Sequence, residues 1–209
     1  MKLNGAERWL VNSHARALVQ RFYEMPLLRR LGGTVDGGRV LEVGCGRGVG
    51  LPLILESFQA ATAHGIDLDP AQIARALRRI KEQYDSRIDL KVASVTELAF
   101  ADASFDAVFD FGILHHVPAW QTGVAEIRRV LKPGGRFFFE EVTAAALNRW
   151  IYRTFFEHPR ENRFSEVDFL NELRRHGFES SSPIHRVLFG DIFIGVARVP
   201  GQAPPEVTR

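Results

Sequence analysis

The chain has 209 residues, of which 45% are hydrophobic and 25% charged, and its 27 basic residues nearly balance its 25 acidic ones. This length allows one sizeable α/β domain, and the small net charge gives no indication of a polyanionic partner, so no nucleic acid is expected. The single cysteine, Cys45, excludes an internal disulfide and a zinc site built from cysteines.

From residue 39 onward, short β-rich runs alternate with helical patterns. The alternation predicts a parallel sheet with helices on both faces, joined by right-handed crossovers. Strands are predicted over 39–44, 61–67, 87–93, 104–112 and 136–142, and helices over 50–58, 71–84, 120–131 and 165–178. A closing hairpin over 184–189 and 191–198, turning at Gly190 and Asp191, would add an antiparallel strand at one side.

Two segments lie outside this alternation. Residues 1–31 have a helical pattern that Pro26 interrupts, and the aromatic stretch 148–164 could wall an apolar pocket, form a membrane-surface patch or pack on the sheet edge. We expect a single domain over 1–199, with an N-terminal helical cap at 1–38 and an aromatic insertion at 143–165. The proline-rich end, 200–209, is predicted to be a flexible tail.

The first ten residues contain Lys2, Glu7 and Arg8, so no signal-peptide hydrophobic region is expected. No apolar run approaches the roughly 18–20 residues that span a bilayer. We therefore predict a cytoplasmic protein without stable membrane insertion.

The glycine-rich stretch VLEVGCGRGVG at 40–50 follows the first predicted strand, where doubly wound sheets bind ligands. Val49 occupies the third glycine position of the dinucleotide fingerprint, and no Gly-Lys-Ser/Thr follows as a P-loop requires. Glu42 beside the turn would repel a pyrophosphate and attract an ammonium group, whereas the amides of the following helix suit a carboxylate. A ligand end that carries both groups is an amino acid.

Asp67 ends the second predicted strand, where an acidic side chain holds a ribose diol in sheets of this kind. An amino-acid end combined with an adenosine end describes S-adenosylmethionine. We therefore predict S-adenosyl-L-methionine as the cofactor and consider a dehydrogenase disfavoured.

Four segments, in order along the chain, resemble the class I S-adenosylmethionine-dependent methyltransferases, especially their small-molecule type 11 branch. The segments are VLEVGCGRG, GIDLDP, ELAFADASFDAVFDFGILHHV and EIRRVLKPGGRFFFEEV, about half of the chain. The resemblance implies an α/β fold: a Rossmann-like three-layer sandwich with a mostly parallel seven-stranded sheet and an antiparallel final strand, here preceded by N-terminal helices.

The resemblance also implies a set of cofactor-binding residues around the ends of the first four strands. The glycines and Glu42 would surround the methionine part, and Asp67 would hold the ribose. Ser94 stands where the family often has an aspartate that contacts the adenine amine. The full predicted set is Glu42, Gly44, Cys45, Gly46, Gly48, Asp67, Leu68, Ser94, Val95, Phe111 and Gly112.

Several titratable residues allow either a catalytic or a structural interpretation. His115 and His116 follow the fourth strand, so either could accept a proton from the acceptor, or either could be hydrogen-bonded in the loop. Glu140 and Glu141 end the fifth strand on opposite faces; one could reach the acceptor pocket, but the pattern favours a solvated strand end. Asp69-Pro70 is typical of a helix start. No metal site is predicted.

These patterns predict SN2 methyl transfer from S-adenosylmethionine to a small-molecule acceptor, with apolar or lipid-like metabolites as one candidate class. The alternatives are an RNA or protein methyltransferase and a non-catalytic S-adenosylmethionine-binding protein. The stretch Asp110-Phe111-Gly112-Ile113 lacks the prolines of the enzymes that methylate exocyclic base amines. The sequence does not specify the acceptor or the oligomeric state.

Overall fold

The computed structural model describes residues 14–80, 86–148, 161–180 and 182–201. The first half contains α1 (His14–Val19), a π-helical turn (Gln20–Glu24), α2 (Met25–Gly32), β1 (Arg39–Val43), α3 (Gly50–Ser57), β2 (Thr62–Asp67), α4 (Pro70–Arg79), β3 (Ile88–Val92) and β4 (Phe105–Phe111). The second half contains a 3₁₀ turn (Leu114–His116), α5 (Trp120–Val130), β5 (Leu131–Val142), α6 (Ala144–Leu147), α7 (Glu166–Arg175), β6 (Glu179–Ser180), β7 (His185–Val187), a 3₁₀ turn (Leu188–Gly190) and β8 (Ile192–Arg198).

The sheet has the strand order β3-β2-β1-β4-β5-β8-β6, with β7 also paired to β8. Strands β1 to β5 are mutually parallel, and β8 is antiparallel to β5. The short strands β6 and β7 both pair antiparallel with β8, so they occupy one edge position in succession. The predicted mostly parallel, seven-position sheet with an antiparallel final strand is therefore confirmed.

Successive phenylalanines of β5 point to opposite faces of the sheet, so they pack in two separate core layers. Phe138 stacks on Phe109 at 4.6 Å between ring centroids, and Phe58 meets both rings edge-on at 5.0 and 4.8 Å. Phe137 and Phe139 pack in the other layer with α5 and α7. Such aromatic pairs contribute about 0.5–1.5 kcal/mol each beyond the burial of their area.

The same alternation sends Glu140 and Glu141 to opposite faces, as predicted, but the expectation of a solvated strand end is wrong. Glu141 is fully buried beneath the first 3₁₀ turn, where its carboxylate accepts a hydrogen bond from the Leu114 amide at 2.7 Å. The Glu140 side chain is only 12% exposed because Arg16 of α1 lies over it. Elements distant in sequence cover both carboxylates.

The helix boundaries differ from the predictions at two places. The path does not break at Pro26, because a π-helical turn precedes it and the Met25 amide bonds the Gln20 carbonyl. Residues 132–135, which separate the predicted helix from the predicted strand, belong to β5, because β5 begins at Leu131 and a register shift between Phe105 and Ala107 accommodates them. The predicted start of α7 at Ser165 is confirmed by a capping box with Asp168.

Parts of the predicted cap, insertion and tail lie outside the described residues, as does the end of the predicted helix at 81–84. Among the residues that are described, no helix combines the length and the apolar character needed to cross a membrane.

Candidate functional site

An open crevice of about 340 Å³ lies at the carboxyl ends of the parallel strands, where the strand order reverses between β1 and β4. Ligands bind at this point in open α/β sheets. The crevice is lined by Arg16, Gly44, Gly46, Ile66, Asp67, Leu68, Asp69, Gln72, Ala93, Ser94, Val95, Thr96, Phe111, Gly112, Ile113, His116, Val117, Pro118 and Ala119.

The glycine loop between β1 and α3 borders the crevice through Gly46, which has a positive φ of 53°. A Cβ atom built on Gly46 would meet no protein atom within 4 Å, so the backbone here faces open space. Gly48 has a different role, because a Cβ there would lie 2.6 Å from Ile80 Cδ1. It permits close packing on the α4 side and does not line the crevice.

Asp67, at the end of β2, ties the glycine loop to the start of α4. One carboxylate oxygen accepts from the Gly46 amide at 2.9 Å, and the other accepts from the Asp69 amide at 2.8 Å. Burial raises the pKa of Asp67 above its usual value. Each oxygen keeps a second lone pair, so the side chain can accept hydrogen bonds from a diol in the crevice.

Asp69 caps α4, as predicted, by accepting a hydrogen bond from the Ala71 amide at 2.9 Å. It also lines the crevice beside Leu68, whose side chain is exposed.

Glu42 lies behind the glycine loop and does not line the crevice wall. It is only 3% exposed, and its Oε2 atom has no hydrogen-bond partner in the described chain. Burial, followed by the nearby Asp67, raises the pKa of Glu42 to about 8. A buried carboxyl group without a partner is unfavourable unless a ligand supplies one, and an ammonium group would do so.

Arg16, on α1, enters the same crevice and was not among the predicted site residues. Its guanidinium group forms an ion pair with Glu24 and lies 3.4 Å from Glu140. Burial raises the pKa of Glu140 to about 8. A lone arginine in a helical segment gives no motif that sequence analysis could have used.

The far end of the crevice is formed by the segment after β3 and by the segment after the first 3₁₀ turn. The Ser94 hydroxyl lies 2.7 Å from that of Thr96 and accepts from the Thr96 amide at 3.2 Å. The opposite wall, Val117 to Ala119, was not predicted, because its residues carry no chemically distinctive groups.

The two histidines lie in different surroundings. His116 lines the crevice and is 8% exposed. His115 is behind the crevice wall, with Nδ1 2.6 Å from a Glu141 carboxylate oxygen.

Of the predicted site residues, nine line the crevice: Gly44, Gly46, Asp67, Leu68, Ser94, Val95, Phe111, Gly112 and His116. The others, Glu42, Cys45, Gly48 and His115, stand behind it. Burial raises the pKa of the Cys45 thiol well above its usual value, which leaves it a small core residue. In the described part of the chain, no three His, Cys, Asp or Glu side chains are grouped for a metal ion.

The comparisons with known proteins agree with this geometry. A family model described as "Methyltransferase domain" matches residues 41–139. A fatty-acid O-methyltransferase of Mycolicibacterium smegmatis is 36% identical over 107 residues, which cover 51% of this chain and 38% of the relative. The chain spans 25% to 46% of the length of eight curated relatives that it matches.

Solved structures share the fold across most of the chain. A SAM-dependent methyltransferase from Aquifex aeolicus superposes with a TM-score of 0.73 at 18% identity, covering 95% of this chain and all of that one. The [4+2]-cyclase SpnF superposes with a TM-score of 0.70 at 22% identity, covering 85% of this chain and 81% of that one. The two TM-scores establish a shared architecture, and at these low identities they establish the fold alone.

Proposed function

The domain over residues 41–139 belongs to the class I, Rossmann-like, S-adenosylmethionine-dependent methyltransferases, and from this we propose that the chain methylates a small-molecule acceptor. One observation carries the proposal. Arg16 and Asp67 line one crevice, and Glu42, whose buried Oε2 atom has no hydrogen-bond partner in the described chain, lies behind the glycine loop that borders this crevice. These groups complement an amino-acid end and a ribose in one ligand.

The residues present fit S-adenosylmethionine, which supplies, when bound, a methyl group already activated by its sulfonium. Glu42 would hold the ammonium group, Arg16 the carboxylate, and Asp67 the ribose diol. The chain's remaining tasks are to orient the acceptor, exclude water and take up any proton that the acceptor loses.

We propose an apolar or lipid-like acceptor. The crevice wall that continues from β4 is apolar, with Phe111, Ile113 and Val117 exposed to it. A relative is named a fatty-acid O-methyltransferase, which supports this class.

A second candidate function is a reaction other than methyl transfer on the same fold, since SpnF is a cyclase with this architecture. The cytoplasmic location, the domain limits and the absence of a nucleic-acid partner stay predictions.

Calorimetry on the full chain with S-adenosylmethionine, S-adenosylhomocysteine and NADH tests the cofactor. We expect both adenosyl ligands to bind and NADH not to, because Glu42 opposes a pyrophosphate. A screen of lipid and metabolite extracts with methyl-labelled donor should then yield a labelled apolar product. Binding of NADH alone would contradict the cofactor assignment, and donor binding without any labelled product would favour the second candidate.

Arg16→Gln should weaken S-adenosylmethionine binding by at least about tenfold, because a hydrogen-bonded ion pair with a carboxylate is lost. Decarboxylated S-adenosylmethionine, which lacks that carboxylate, should bind the variant and the unaltered protein alike. Calorimetry with both ligands measures the difference.

Arg174→Gln is the matched control, because Arg174 is an exposed arginine whose contact is with Asn171 on its own helix. It should change neither affinity. Equal losses for both ligands in Arg16→Gln would indicate that Arg16 supports the fold of the crevice and does not contact the carboxylate.

A further inference from the structure

Six of the ten large apolar side chains that are exposed in the described part of the chain come from two short segments. One segment runs from the end of α1 into the π-helical turn, and the other is the 3₁₀ turn that precedes β8. We call these six residues the apolar rim: Leu18, Val19, Phe22, Tyr23, Leu188 and Phe189.

The two segments of the apolar rim meet near the carboxyl end of β5. The Tyr23 hydroxyl lies 2.9 Å from Nε2 of His185 on β7, so a hydrogen bond joins them. Arg16 of α1 reaches Glu140 near the end of β5, and β8 begins opposite Val142. The crevice opens at this same edge of the sheet, and Arg16 lines it. The apolar rim therefore borders the crevice on the side where α1 enters.

The 3₁₀ turn presents its apolar side chains from an unfavourable backbone conformation. Leu188, Phe189 and Gly190 have positive φ values of 50°, 59° and 88°. Left-handed conformations are unfavourable for residues with a Cβ atom, and they concentrate where a functional contact requires them. Phe189 is fully exposed, so burial of its ring within the described chain does not offset this cost. The turn thus directs an aromatic ring towards a partner.

The exposed charges beside the apolar rim are basic. In α1 with its π-helical turn, and from β7 to the start of β8, the acidic side chains are Glu24 and Asp191, and both are buried. The side chains of Arg21 and Arg186 are 56% and 57% exposed. Arg21 lies over the Phe22 ring at 6.0 Å from its centroid. Arg21 is 4.0 Å from a carboxylate of α3, and Arg186 pairs with one at the start of α7.

An anionic lipid surface complements this combination of groups. The apolar rim protrudes at Phe189 and is flanked by basic side chains, whereas the crevice lies behind it. At the surface of a bilayer, aromatic and aliphatic side chains insert at the level of the headgroups, and arginines contact the lipid phosphates. A lipid-like acceptor would leave the bilayer at the same edge of the sheet.

We propose that the apolar rim docks the protein on an anionic membrane surface, with the mouth of the crevice beside the bilayer, so that a lipid-like acceptor passes directly to the crevice. For its acceptor class this inference rests on the proposed function. Phe22 and Phe189 insert among the headgroups, and Arg21 and Arg186 contact lipid phosphates. The contact is peripheral and needs no spanning helix.

Vesicle flotation with the full chain tests the docking. The probes are vesicles of phosphatidylcholine alone and vesicles of phosphatidylcholine mixed with phosphatidylglycerol. We expect the protein to float with the mixed vesicles and to bind the neutral ones at least about fivefold more weakly, because two arginines lose their anionic contacts. Added salt should weaken binding to the mixed vesicles, since it screens exposed charges.

The apolar contribution is measured with substitutions that keep the turn. Phe189→Asn should weaken binding to the mixed vesicles at least about tenfold, because the buried ring is lost while asparagine tolerates a positive φ. Leu188→Ser should also weaken binding. Leu77→Ser is the matched control for Leu188→Ser, since Leu77 is 55% exposed on α4 and Leu188 is 57% exposed. The control should bind vesicles like the unaltered protein.

The basic contribution has its own matched pair of variants. Arg21→Gln should weaken binding to the mixed vesicles about fivefold. Arg174→Gln removes the same charge from α7, where Arg174 contacts Asn171, and should leave vesicle binding unchanged. Equal losses in the two variants would show that net charge alone attracts the protein, and would overturn docking through the apolar rim.

Three further outcomes would overturn the docking: no binding to the mixed vesicles, equal binding to both kinds of vesicle, or unaltered binding by Phe189→Asn. Sedimentation velocity distinguishes a second copy of the chain as the partner. Self-association that Phe189→Asn abolishes, without vesicle binding, would assign the apolar rim to a protein interface and overturn the lipid proposal.

The docking and the proposed function fail separately. Vesicle binding requires no cofactor, so calorimetry with S-adenosylhomocysteine is an independent measurement, and Phe189→Asn should bind that ligand with unchanged affinity. A chain that binds S-adenosylhomocysteine and ignores vesicles would lose only the docking. A chain that binds the mixed vesicles through Phe189 and not S-adenosylhomocysteine would keep the docking surface and lose the proposed function.

Discussion

Asp67→Ala should reduce the affinity for S-adenosylmethionine by at least about a hundredfold. Two losses combine in this variant. Hydrogen bonds from a ribose diol to a carboxylate contribute about 1.5–3 kcal/mol. The amides of Gly46 and Asp69, which the carboxylate holds at 2.9 and 2.8 Å, also lose their partner, so the glycine loop and the start of α4 become less ordered. Calorimetry on the full chain measures the affinity.

Asp67→Asn separates the two losses. The amide oxygen can still accept one of the backbone hydrogen bonds, so the loop should keep more of its order while the charged contact with the diol is lost. We expect an intermediate affinity.

Asp89→Ala is the matched control, since Asp89 is a half-exposed aspartate near the amino end of β3, whereas the crevice lies at the carboxyl ends of the strands. The Asp89→Ala variant should bind S-adenosylmethionine with the same affinity as the unaltered protein. An unchanged dissociation constant in Asp67→Ala, with cooperative thermal unfolding preserved, would show that the crevice does not hold a ribose at Asp67.

Glu42→Gln should stabilise the ligand-free protein at about pH 8 and weaken the binding of the donor. The Glu42 pKa is raised to about 8 in the folded chain, above its ordinary value of 4.5, so the folded state holds the proton more tightly than the unfolded state. The contribution of Glu42 to the free energy of unfolding is fully present below about pH 4.5 and is lost as the pH rises towards 8. Removing the titration should recover about 1–3 kcal/mol at the upper end of that range.

Denaturant unfolding at several pH values measures this effect. Glu140 and Glu141, with pKa values raised to about 8 and about 7, act in the same direction, so the pH dependence should diminish in Glu42→Gln without disappearing. Glu179→Gln, a change at an exposed glutamate on the edge strand β6, should leave the pH dependence as it is.

Donor binding should show the opposite pH dependence. An ammonium group favours the ionised form of Glu42. The affinity for the donor should therefore rise with pH, and the Glu42 carboxyl group should release a proton on binding. The rise should end near the point where the donor's own α-amino group begins to lose its proton, at about pH 7.7–8. A Glu42→Gln variant that binds as tightly as the unaltered protein at every pH would show that Glu42 does not face the ammonium group.

The sequence carried the features that depend on local pattern. The short β-rich runs predicted β1 to β4 within one residue at each end, and they predicted the end of β5, because parallel strands buried on both faces keep apolar residues in short blocks. The glycine spacing and the acidic residue after β2 located the crevice, because the strand end and the loop that follow it are contiguous in the chain. The pair Asp69-Pro70 likewise predicted the N-terminal cap of α4.

What covers each face of the sheet was decided by the tertiary structure. Period-2 alternation placed Glu140 and Glu141 on opposite sides, but it gave no sign that both would be buried. Arg16 reaches Glu140 across a separation of 124 residues, and a contact of that range leaves no local pattern.

The same division explains the site. The sequence by itself determined β1 and β2, the glycine loop between β1 and α3, and the acidic residue Asp67 that faces the crevice. Each of these features follows from residue spacing along one segment of the chain. Only the tertiary structure decided that Arg16 enters the crevice, that the Glu42 Oε2 atom lies behind it with no hydrogen-bond partner in the described chain, and that a Glu141 oxygen lies 2.6 Å from His115 Nδ1. Those outcomes depend on burial and on charges brought together from separate elements, which raise carboxyl pKa values only once the chain has folded.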